Sequence, residues 1–458
     1  MDQIPVLIIC YNNHLYVDNM VKQLVKFGNN LHINIVDQNS NHPDTIEYLN
    51  TCGCKIIHRL HNSGPWIDRD HNTDLYDMLP NKFIVTDPDL ELNPNLPSNF
   101  IDILAELSEK YYCNKIGFAL DISDFDQMYQ TVYNKNKNIH EWESQFWARK
   151  LESKEYELYH GFIDTTFHLY NKKYKKRSIR IAGNFIAKHL PWYCQNKLLN
   201  VYENYQMNIN TTCISSISKI ILNYIKTKYL VIHKQSIPIL IENNQSDPNL
   251  RFWKNRYSDW EPDTFKIMDQ FLNKNKIFID LGGWIGTTCI YASHKSKHVY
   301  VVEVDSEALK YLNQNCTNNC TNCTIIDKAI YNINDTKINF GPNLLLDNSK
   351  LNDSCSQIHI SQNNNVKSQL VSTINLEHLI QDYQIDPTSI SLIKVDVEGS
   401  EEFILEDLYK LHKTYKIPIY VSFHQKWWNN PDLHRFTFLS NQQINLITRK
   451  PFSTMLMY

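Results

Sequence analysis

Two pairs of acidic residues each follow an apolar run of the sequence, one pair in each half of the chain. The pairs are Asp87 with Asp89, and Asp396 with Glu398. Carboxylates two residues apart at the end of a buried strand can share a divalent cation, and one carboxylate can accept a proton from a reacting hydroxyl. Such pairs also occur in ordinary turns, so the surrounding residues must decide among these roles.

A glycine-rich turn follows the apolar run Ile277–Leu281 and precedes a segment predicted to be helical. A strand, a tight turn and a helix in this order present backbone N–H groups to a nucleotide-like ligand. The candidate ligand-binding residues of this unit are Asp280, Gly282, Gly283 and Gly286. Glu303 lies near the end of the next apolar run, where a carboxylate can accept hydrogen bonds from a ribose diol. A connection without any ligand is the alternative.

The composition predicts a protein with more than one domain. The chain has 458 residues, 42% of them hydrophobic, which predicts two or three domains with sizeable cores. The net charge of −3 gives no support for nucleic acid as a partner. No apolar run approaches the length of a membrane span, and the first residues lack the pattern of a secretory signal. The eleven cysteines form no framework pattern, which indicates a reducing compartment. We therefore expect a cytoplasmic protein, in a host cytoplasm if the AT-rich coding bias reflects a large DNA virus.

The elements that must position the candidate residues alternate between strand and helix. In the first half, strands are predicted at 6–10, 32–36, 55–58 and 81–85, with a helix at 18–27. In the second half, further strands are predicted at 299–304, 324–326, 391–395 and 418–422. This alternation predicts an α/β fold with two doubly wound sheets, whose ligands bind at the carboxyl ends of the strands.

The first half resembles a glycosyltransferase of the GT-A fold, with Thr86-Asp87-Pro88-Asp89 as the metal and sugar-nucleotide motif. The resemblance implies Mn²⁺ or Mg²⁺ held by Asp87 and Asp89, with His189 completing the metal shell. It implies a nucleotide-sugar donor, and a glycan or sugar acceptor near Asp164, which could act as a base. Contacts to the donor are expected from Tyr11, Asn12, Asp37, Asn39, Gly64 and Asp87. An N-capping Asp164 and a packed His189 are the structural alternatives.

The second half resembles the FkbM family of S-adenosylmethionine (SAM)-dependent methyltransferases. The matching segments are 260–262, 279–286, 302–305, 327–329, 394–401 and 422–424. The resemblance implies that Asp280 and the glycines cradle the methionine end of SAM and that Glu303 holds its ribose. It further implies that Asp327 faces the adenine, and that Asp305 and Asp396 contribute to the same site.

Methyl transfer to a hydroxyl requires alignment of the acceptor oxygen, the methyl group and the sulfur, together with removal of a proton. Either His424 or the pair Asp396 and Glu398 could supply the base. A metal ion held by that pair could instead lower the pKa of the hydroxyl. The structural alternatives are that Glu398 favours the N-terminus of the following helix, and that His424 is a packed residue at a strand end.

Cys316, Cys320 and Cys323 have the C-x3-C-x2-C spacing of radical SAM enzymes, in which three thiolates bind an iron–sulfur cluster. Here the cysteines follow a predicted helix and precede a strand, and the segment is also a short Cys-Thr-Asn repeat. We therefore expect neither a cluster nor a zinc site with a fourth ligand.

Together these patterns predict a glycosyltransferase domain at 1–205, a helical and linking segment at 206–250, and a methyltransferase domain at 251–458. The predicted protein is bifunctional: it transfers a sugar from a nucleotide donor and methylates a sugar hydroxyl with SAM. Two alternatives remain, a single catalytic half joined to a carbohydrate- or nucleotide-binding module and a non-enzymatic carbohydrate-binding protein. The sequence predicts no oligomeric state.

Overall fold

The structure is a computed structural model that describes most of the chain. The described residues are 4–28, 31–130, 136–175, 177–196, 225–342, 351–352, 356–359, 368–432, 436, 444–448 and 453–458. They divide into two compact units, an N-terminal unit within 1–228 and a C-terminal unit within 229–458. Among the residues that are described, none of the helices combines the length and the apolar character needed to cross a bilayer.

The N-terminal unit is built on a nine-stranded sheet in the order β3-β2-β1-β4-β9-β6-β10-β8-β7, with a separate pair β5–β11. Its strands are β1 (Pro5–Cys10), β2 (His32–Asp37), β3 (Lys55–His58), β4 (Lys82–Thr86), β5 (Leu90–Leu92), β6 (Lys115–Phe118), β7 (Lys150–Leu151), β8 (Leu158–His160), β9 (His168–Asn171), β10 (Ser178–Ile181) and β11 (Ala187–His189). Its helices are α1 (His14–Phe27), α2 (Pro43–Thr51), α3 (Thr73–Met78), α4 (Phe100–Lys110) and α5 (Ile139–Glu143).

This sheet is mixed, which corrects the prediction of a parallel doubly wound sheet. Strands β3, β2, β1 and β4 are parallel, as the alternation of strands and helices predicts. Strand β9 then lies between β4 and β6 and runs antiparallel to both. An apolar run indicates that a strand is buried but not its direction, so this insertion has no signature in the hydrophobic pattern.

The C-terminal unit contains a seven-stranded sheet in the order β16-β15-β14-β21-β22-β24-β23. Its strands are β12 (Tyr229–Lys234), β13 (Ile237–Glu242), β14 (Ile277–Leu281), β15 (His298–Glu303), β16 (Cys323–Asp327), β17 (Ala329–Ile330), β18 (Lys337–Gly341), β19 (Gln357–His359), β20 (Gln369–Ile374), β21 (Ile390–Val395), β22 (Ile419–Phe423), β23 (Ile444–Thr448) and β24 (Ser453–Met457). Its helices are α6 (Leu250–Asn255), α7 (Pro262–Phe271), α8 (Cys289–Ser293), α9 (Ser306–Asn319), α10 (Leu376–Asp382) and α11 (Glu401–Tyr415).

Five strands of the seven-stranded sheet are parallel, and β24 and β23 close one edge in antiparallel pairing. Apolar residues pack on both faces of this sheet. One core joins Phe265, Tyr291 and Leu312 of α7, α8 and α9, and the other joins Leu379 and Leu405 of α10 and α11. This architecture places the carboxyl ends of β14, β15, β21 and β22 along one edge, where a ligand site is expected.

The C-terminal unit begins with an antiparallel hairpin of β12 and β13, which lies in the stretch 206–250 predicted to link two domains. Within this stretch the helical spacing of apolar residues predicts a helix at 215–226, whose residues up to 224 lie outside the described part of the chain. Residues 225–228, just before β12, are helical. The domain boundaries at 205 and 250 stay predictions.

Candidate functional sites

A cavity of about 910 Å³ opens at the carboxyl ends of β14, β15, β21 and β22. The strands position its polar residues because each of these side chains lies at or just beyond a strand end. The predicted residues that line the cavity are Gly282, Glu303, Asp305, Asp396, Glu398 and His424. The structure therefore brings together residues that are far apart in the sequence, since Gly282 and His424 are separated by 142 positions.

The turn after β14 leaves space only for a glycine. Gly282 has a φ of +86°, and a Cβ built on it would lie 1.9 Å from the carbonyl oxygen of Asp396. Glu303 is held beside this turn, where its carboxylate accepts hydrogen bonds from the backbone N–H groups of Trp284, Val304 and Asp305 at 2.7–2.8 Å. Burial raises the pKa of Glu303 to about 7, although these N–H groups act in the opposite direction. The turn and the carboxylate form one rigid wall of the cavity.

A buried lysine with two carboxylate partners forms part of the cavity wall. Lys394 on β21 lies 3.3 Å from Asp280 and 3.6 Å from Asp396, measured from Nζ to the nearest carboxylate oxygens. Burial alone would lower the pKa of Lys394, but the two carboxylates more than offset this and raise it. Asp280 also accepts a hydrogen bond from Thr288 and does not line the cavity. Asp280 therefore holds Lys394 in place, and Lys394 in turn faces Asp396.

The imidazole of His424 is fixed by a carboxylate that the sequence analysis left out of the site. Its Nδ1 lies 2.9 Å from Oε1 of Glu401, which is fully buried at the start of α11. The other oxygen of Glu401 accepts a hydrogen bond from the indole N–H of Trp428 at 2.9 Å. The ring of Trp427 stacks on the imidazole at 4.9 Å between centroids, with 4° between the planes. These contacts direct Nε2 of His424 into the cavity.

Two carboxylates face this Nε2 atom. It lies 3.3 Å from Oε2 of Glu398 and 3.7 Å from Oδ1 of Asp396. This Oε2 atom is buried, and it makes no hydrogen bond to any of the described residues. One ligand atom from each of the three residues lies within 4.8 Å of the others, so this set could also hold a divalent cation.

The charges around His424 favour its protonated form. Burial lowers the pKa of His424, but Glu401, Glu398 and Asp396 oppose burial and raise the pKa to about 9. Burial raises the pKa of Glu398, and the nearby Asp396 raises it further. Glu261, a cavity residue missed by the sequence analysis, also has a raised pKa because of burial and Asp396. Burial and the nearby Asp396 therefore favour the protonated forms of Glu398 and Glu261 in the cavity.

Three predicted residues, besides Asp280, lie outside the cavity lining. Gly283 and Gly286 face the core, where a Cβ on Gly283 would lie 2.1 Å from Val301. Asp327 ends β16 as an exposed residue and does not line the cavity. The motif 394–401 contained the missed residues Lys394 and Glu401, but only the tertiary structure shows what they contact.

In the N-terminal unit, Asp87 and Asp89 follow β4, and His189 ends β11. Nε2 of His189 lies 3.4 Å from Oδ2 of Asp89. Oδ1 of Asp89 and Nδ1 of His189 are buried without hydrogen-bond partners among the described residues. Asp87 instead accepts a hydrogen bond of 2.5 Å from the hydroxyl of Thr165. Asp89 and His189 are therefore in contact, and Asp87 is near enough to interact electrostatically with both.

Burial raises the pKa values of Asp87 and Asp89 and lowers the pKa of His189. Burial, Asp89 and Asp164 raise the pKa of Asp87 to about 8. Burial and Asp164 raise the pKa of Asp89 to about 7. Burial lowers the pKa of His189 to about 4, so its imidazole is neutral at pH 7. Three acidic groups and a neutral histidine are the donor set that a hard divalent cation would stabilise.

Asp164 lies next to this cluster but serves partly to order its own loop. Its Oδ1 accepts hydrogen bonds from the N–H and the hydroxyl of Thr166. Burial opposes its ionisation, but Arg180 and these hydrogen bonds lower its pKa overall. Arg180 itself forms a buried ion pair with Glu143. An ionised Asp164 is available near Asp87 and Asp89.

The predicted donor-binding residues near β1 and β2 differ in their freedom to bind a ligand. Asn12 is buried, and its side chain bonds to the backbone N–H groups of Asn41 and His42. Asp37 is buried and accepts hydrogen bonds from Ser40 and His58. These two side chains shape the loops at the strand ends.

The other three predicted donor-binding residues are more open. Tyr11 is partly buried, Asn39 is exposed with a φ of 65°, and Gly64 has a φ of 82°. Their roles in binding a nucleotide sugar stay predictions.

Comparison with known proteins gives a family for the C-terminal unit. Residues 280–443 match the family model described as the methyltransferase FkbM domain, so this region carries an FkbM methyltransferase domain. The family supports methyl transfer with SAM as the cofactor. No curated protein matches the sequence.

Similar solved structures include both kinds of transferase. SMU.1697c from Streptococcus mutans in complex with SAH is 14% identical, with 42% of this chain and 93% of that chain covered and a TM-score of 0.26. An rRNA methylase from Streptococcus thermophilus is 13% identical, with 43% and 93% covered and a TM-score of 0.26. The mannosyltransferase PcManGT from Pyrobaculum calidifontis in complex with GDP-Man and Mn²⁺ is 10% identical, with 48% and 68% covered and a TM-score of 0.27. TM-scores this low establish neither a shared fold nor a shared function.

Proposed function

We propose that the C-terminal unit transfers a methyl group from SAM to a hydroxyl of a sugar. One observation carries this proposal: a single cavity contains the glycine turn after β14, the carboxylate of Glu303, and His424 with Asp396 and Glu398. The FkbM match over 280–443 supports the reaction, and the polar cavity supports a polar acceptor. The identity of the acceptor as a sugar rests on the sequence resemblance.

The residues at the turn fit the cofactor. The missing Cβ at Gly282 lets the turn after β14 pack against the backbone of Asp396, and the fixed carboxylate of Glu303 can accept hydrogen bonds from ribose hydroxyls. SAM supplies an electrophilic methyl group on a sulfonium. Asp396 and Glu398 lie within 3.7 Å of Nε2 of His424, and we place the acceptor hydroxyl beside these three groups.

His424 is the proposed base of this reaction. Transfer of a methyl group to a hydroxyl oxygen releases the hydroxyl proton, which a positioned imidazole can accept. Glu401 stabilises the imidazolium that results and fixes the ring, since it accepts a hydrogen bond from Nδ1. The second candidate mechanism uses a divalent cation on Asp396, Glu398 and His424, whose ligand atoms lie within 4.8 Å of one another. Such a cation would lower the pKa of a bound hydroxyl.

The test combines SAM binding with methyl transfer to a panel of sugars and glycosides. We expect Glu303→Gln and Glu303→Ala to weaken SAM binding about tenfold or more in calorimetry, because a charged hydrogen-bond acceptor is lost. Glu307→Ala, four residues further in the first turn of α9, is a partly exposed control outside the cavity lining and should bind SAM normally. His424→Gln should retain SAM binding but lose roughly 10²–10⁴-fold in methyl transfer. A wild-type chain that binds no SAM would refute the proposal.

For the N-terminal unit we propose metal-dependent glycosyl transfer from a nucleotide sugar. The supporting observation is that Nε2 of His189 lies 3.4 Å from Oδ2 of Asp89, and that Oδ1 of Asp89 is buried without a hydrogen-bond partner among the described residues. The raised pKa values of Asp87 and Asp89 mean that these carboxyl groups tend to hold protons, and a divalent cation bound there would displace those protons. The same cation would neutralise the diphosphate of the donor. Asp164 is the proposed base for the acceptor.

The experiment is incubation with a panel of nucleotide sugars and Mn²⁺, with donor hydrolysis and protection against melting as the readouts. We expect one donor to be hydrolysed, and Asp89→Asn to abolish both readouts. Glu91→Gln, on the exposed side of β5, is the matched control. If no nucleotide sugar protects or is cleaved, the N-terminal unit is instead a binding module and the methyltransferase acts alone.

A further inference from the structure

Four cysteines come together in the C-terminal unit, away from the proposed methyltransferase cavity. Cys289 lies at the start of α8, Cys316 in the last turn of α9, Cys320 directly after that helix, and Cys323 at the start of β16. None of them lines the cavity. The C-x3-C-x2-C segment alone supplies three of these thiols, and the fold adds Cys289 from a position 27 residues earlier than Cys316.

The distances between the sulfur atoms match those around a single metal ion. Sγ of Cys316 lies 3.7 Å from Sγ of Cys289 and 4.0 Å from Sγ of Cys323. The Sγ atoms of these three residues all lie within 4.8 Å of one another. A tetrahedral zinc site with Zn–S bonds of about 2.3 Å has its sulfur atoms about 3.8 Å apart, which follows from the tetrahedral geometry.

Cys320 joins the same group. It interacts with both Cys316 and Cys323, and it is partly buried against the core that contains Cys289 and Cys316. Cys320 therefore lies beside the three thiols that are all within 4.8 Å of one another, and a small movement of its side chain would complete a set of four.

The sequence alone predicted no zinc site here, but Cys289 supplies a further thiol, and we propose that Cys289, Cys316, Cys320 and Cys323 bind one structural zinc ion. Binding forms four Zn–S bonds and releases the thiol protons to solvent, so four protein ligands close the coordination shell. An iron–sulfur cluster of the radical type fits less well, because its cysteines bind separate iron atoms and one iron stays open for SAM. Here the sulfurs are close together, and the cysteines lie outside the cavity.

The ion would join the C-terminal end of α9 to α8 and to the edge strand β16. Strand β16 pairs with β15 along its whole length, up to the pair Glu303 and Asp327. A zinc ion at the start of β16 would therefore stabilise the part of the sheet that positions Glu303. The proposal does not depend on the methyltransferase function, since its evidence is the thiol geometry alone.

The test measures metal in the full-length protein, purified under reducing conditions and dialysed against EDTA to strip cations from carboxylate sites. Mass spectrometry of the metals should find about one zinc per chain, which a mercurial thiol reagent releases. We expect Cys316→Ser and the milder Cys320→Ser to lose at least half of this zinc. Cys54→Ser, a partly buried cysteine of the N-terminal unit, should keep all of it.

Three results would overturn the proposal. They are a wild-type chain without zinc, equal zinc in Cys320→Ser and Cys54→Ser, and iron in place of zinc. Reconstitution with Co²⁺ gives a second readout that does not depend on variant folding. It should produce thiolate-to-cobalt charge-transfer absorption in the wild type, and the absence of this absorption would also refute a four-thiolate site.

Discussion

The N-terminal and C-terminal units each contain two carboxylates and one histidine at strand ends, but the two histidines differ in charge. The pKa of His189 is lowered to about 4, whereas the pKa of His424 is raised to about 9. Both rings are largely buried. The difference is that Nδ1 of His424 bonds to the buried carboxylate of Glu401, while Nδ1 of His189 has no hydrogen-bond partner among the described residues.

In both histidines Nε2 faces the carboxylates of the cluster. The comparison teaches that the hydrogen-bond partner of Nδ1 determines what chemistry Nε2 can perform. A neutral imidazole beside Asp89 is a good metal ligand, because its lone pair is available to a cation. An imidazole held by a carboxylate is a good proton acceptor, because the carboxylate stabilises the charge that forms. We therefore expect the N-terminal cluster to depend on a metal and the C-terminal cluster to depend on pH.

The largest expected difference follows removal of divalent metal ions. EDTA or Asp89→Asn should reduce glycosyl transfer about a thousandfold, because a metal contributes several kcal/mol to stabilisation of the developing charge. The rate of methyl transfer should stay within about twofold of its value in the untreated wild type. Parallel assays of both reactions on the same sample check this. If EDTA also stops methyl transfer, a cation sits on Asp396, Glu398 and His424, and the two clusters are more alike than we propose.

Replacement of the histidine partner in the C-terminal unit should have the next largest effect. In the wild type, methyl transfer should rise with pH up to about 9, because the base must lose its proton. Glu401→Gln removes a carboxylate that raises the pKa of His424, so the rising limb should move to lower pH by at least one unit. The maximal rate should fall roughly 10–100-fold as the ring loses its orientation. The pH–rate profiles of wild type and variant test this, and a limb that does not move would exclude His424 as the base.

His189→Gln should weaken metal binding without abolishing it. The variant removes one ligand but leaves Asp87 and Asp89, so the Mn²⁺ concentration for half-maximal glycosyl transfer should rise about 10–100-fold. Saturating Mn²⁺ should restore most of the rate. His160→Gln, a partly buried histidine of β8, is the control and should show no change. If saturating Mn²⁺ does not restore the rate of the variant, His189 has a role other than metal binding.

The smallest expected effect concerns the pH dependence of metal binding in the N-terminal unit. Burial and nearby acids raise the pKa of Asp87 to about 8, and the Thr165 hydroxyl acts against this shift. Below this pH a proton competes with the cation, so Mn²⁺ affinity should fall as pH decreases from 8 to 6. Thr165→Val removes the hydroxyl and should move the fall to higher pH by less than one unit. Mn²⁺ titrations at several pH values measure this shift. A shift of the fall in affinity to lower pH would contradict the role of Asp87 as the group that takes up the competing proton.

Much of the positioning was predictable from sequence because parallel strands leave local signals. The run Ile277–Leu281, the glycines that follow and Glu303 are close in sequence, and the strand–turn–helix rule places them together. The pairs Asp87 with Asp89 and Asp396 with Glu398 also follow apolar runs that the structure contains as strands. The α/β class is confirmed, and the four predicted N-terminal strands are parallel, but the expectation of a wholly parallel sheet was wrong because β9 inserts antiparallel.

The sequence by itself determined which groups stand at strand ends, because backbone periodicity and turn residues act over a few positions. Only the tertiary structure decided which of these groups meet. It buried Asp280 as the partner of Lys394, left Asp327 exposed, placed Glu401 behind His424 and brought Cys289 to Cys316 and Cys323. The physical reason is that charge and coordination depend on distances between side chains far apart in sequence, and packing of whole elements sets those distances.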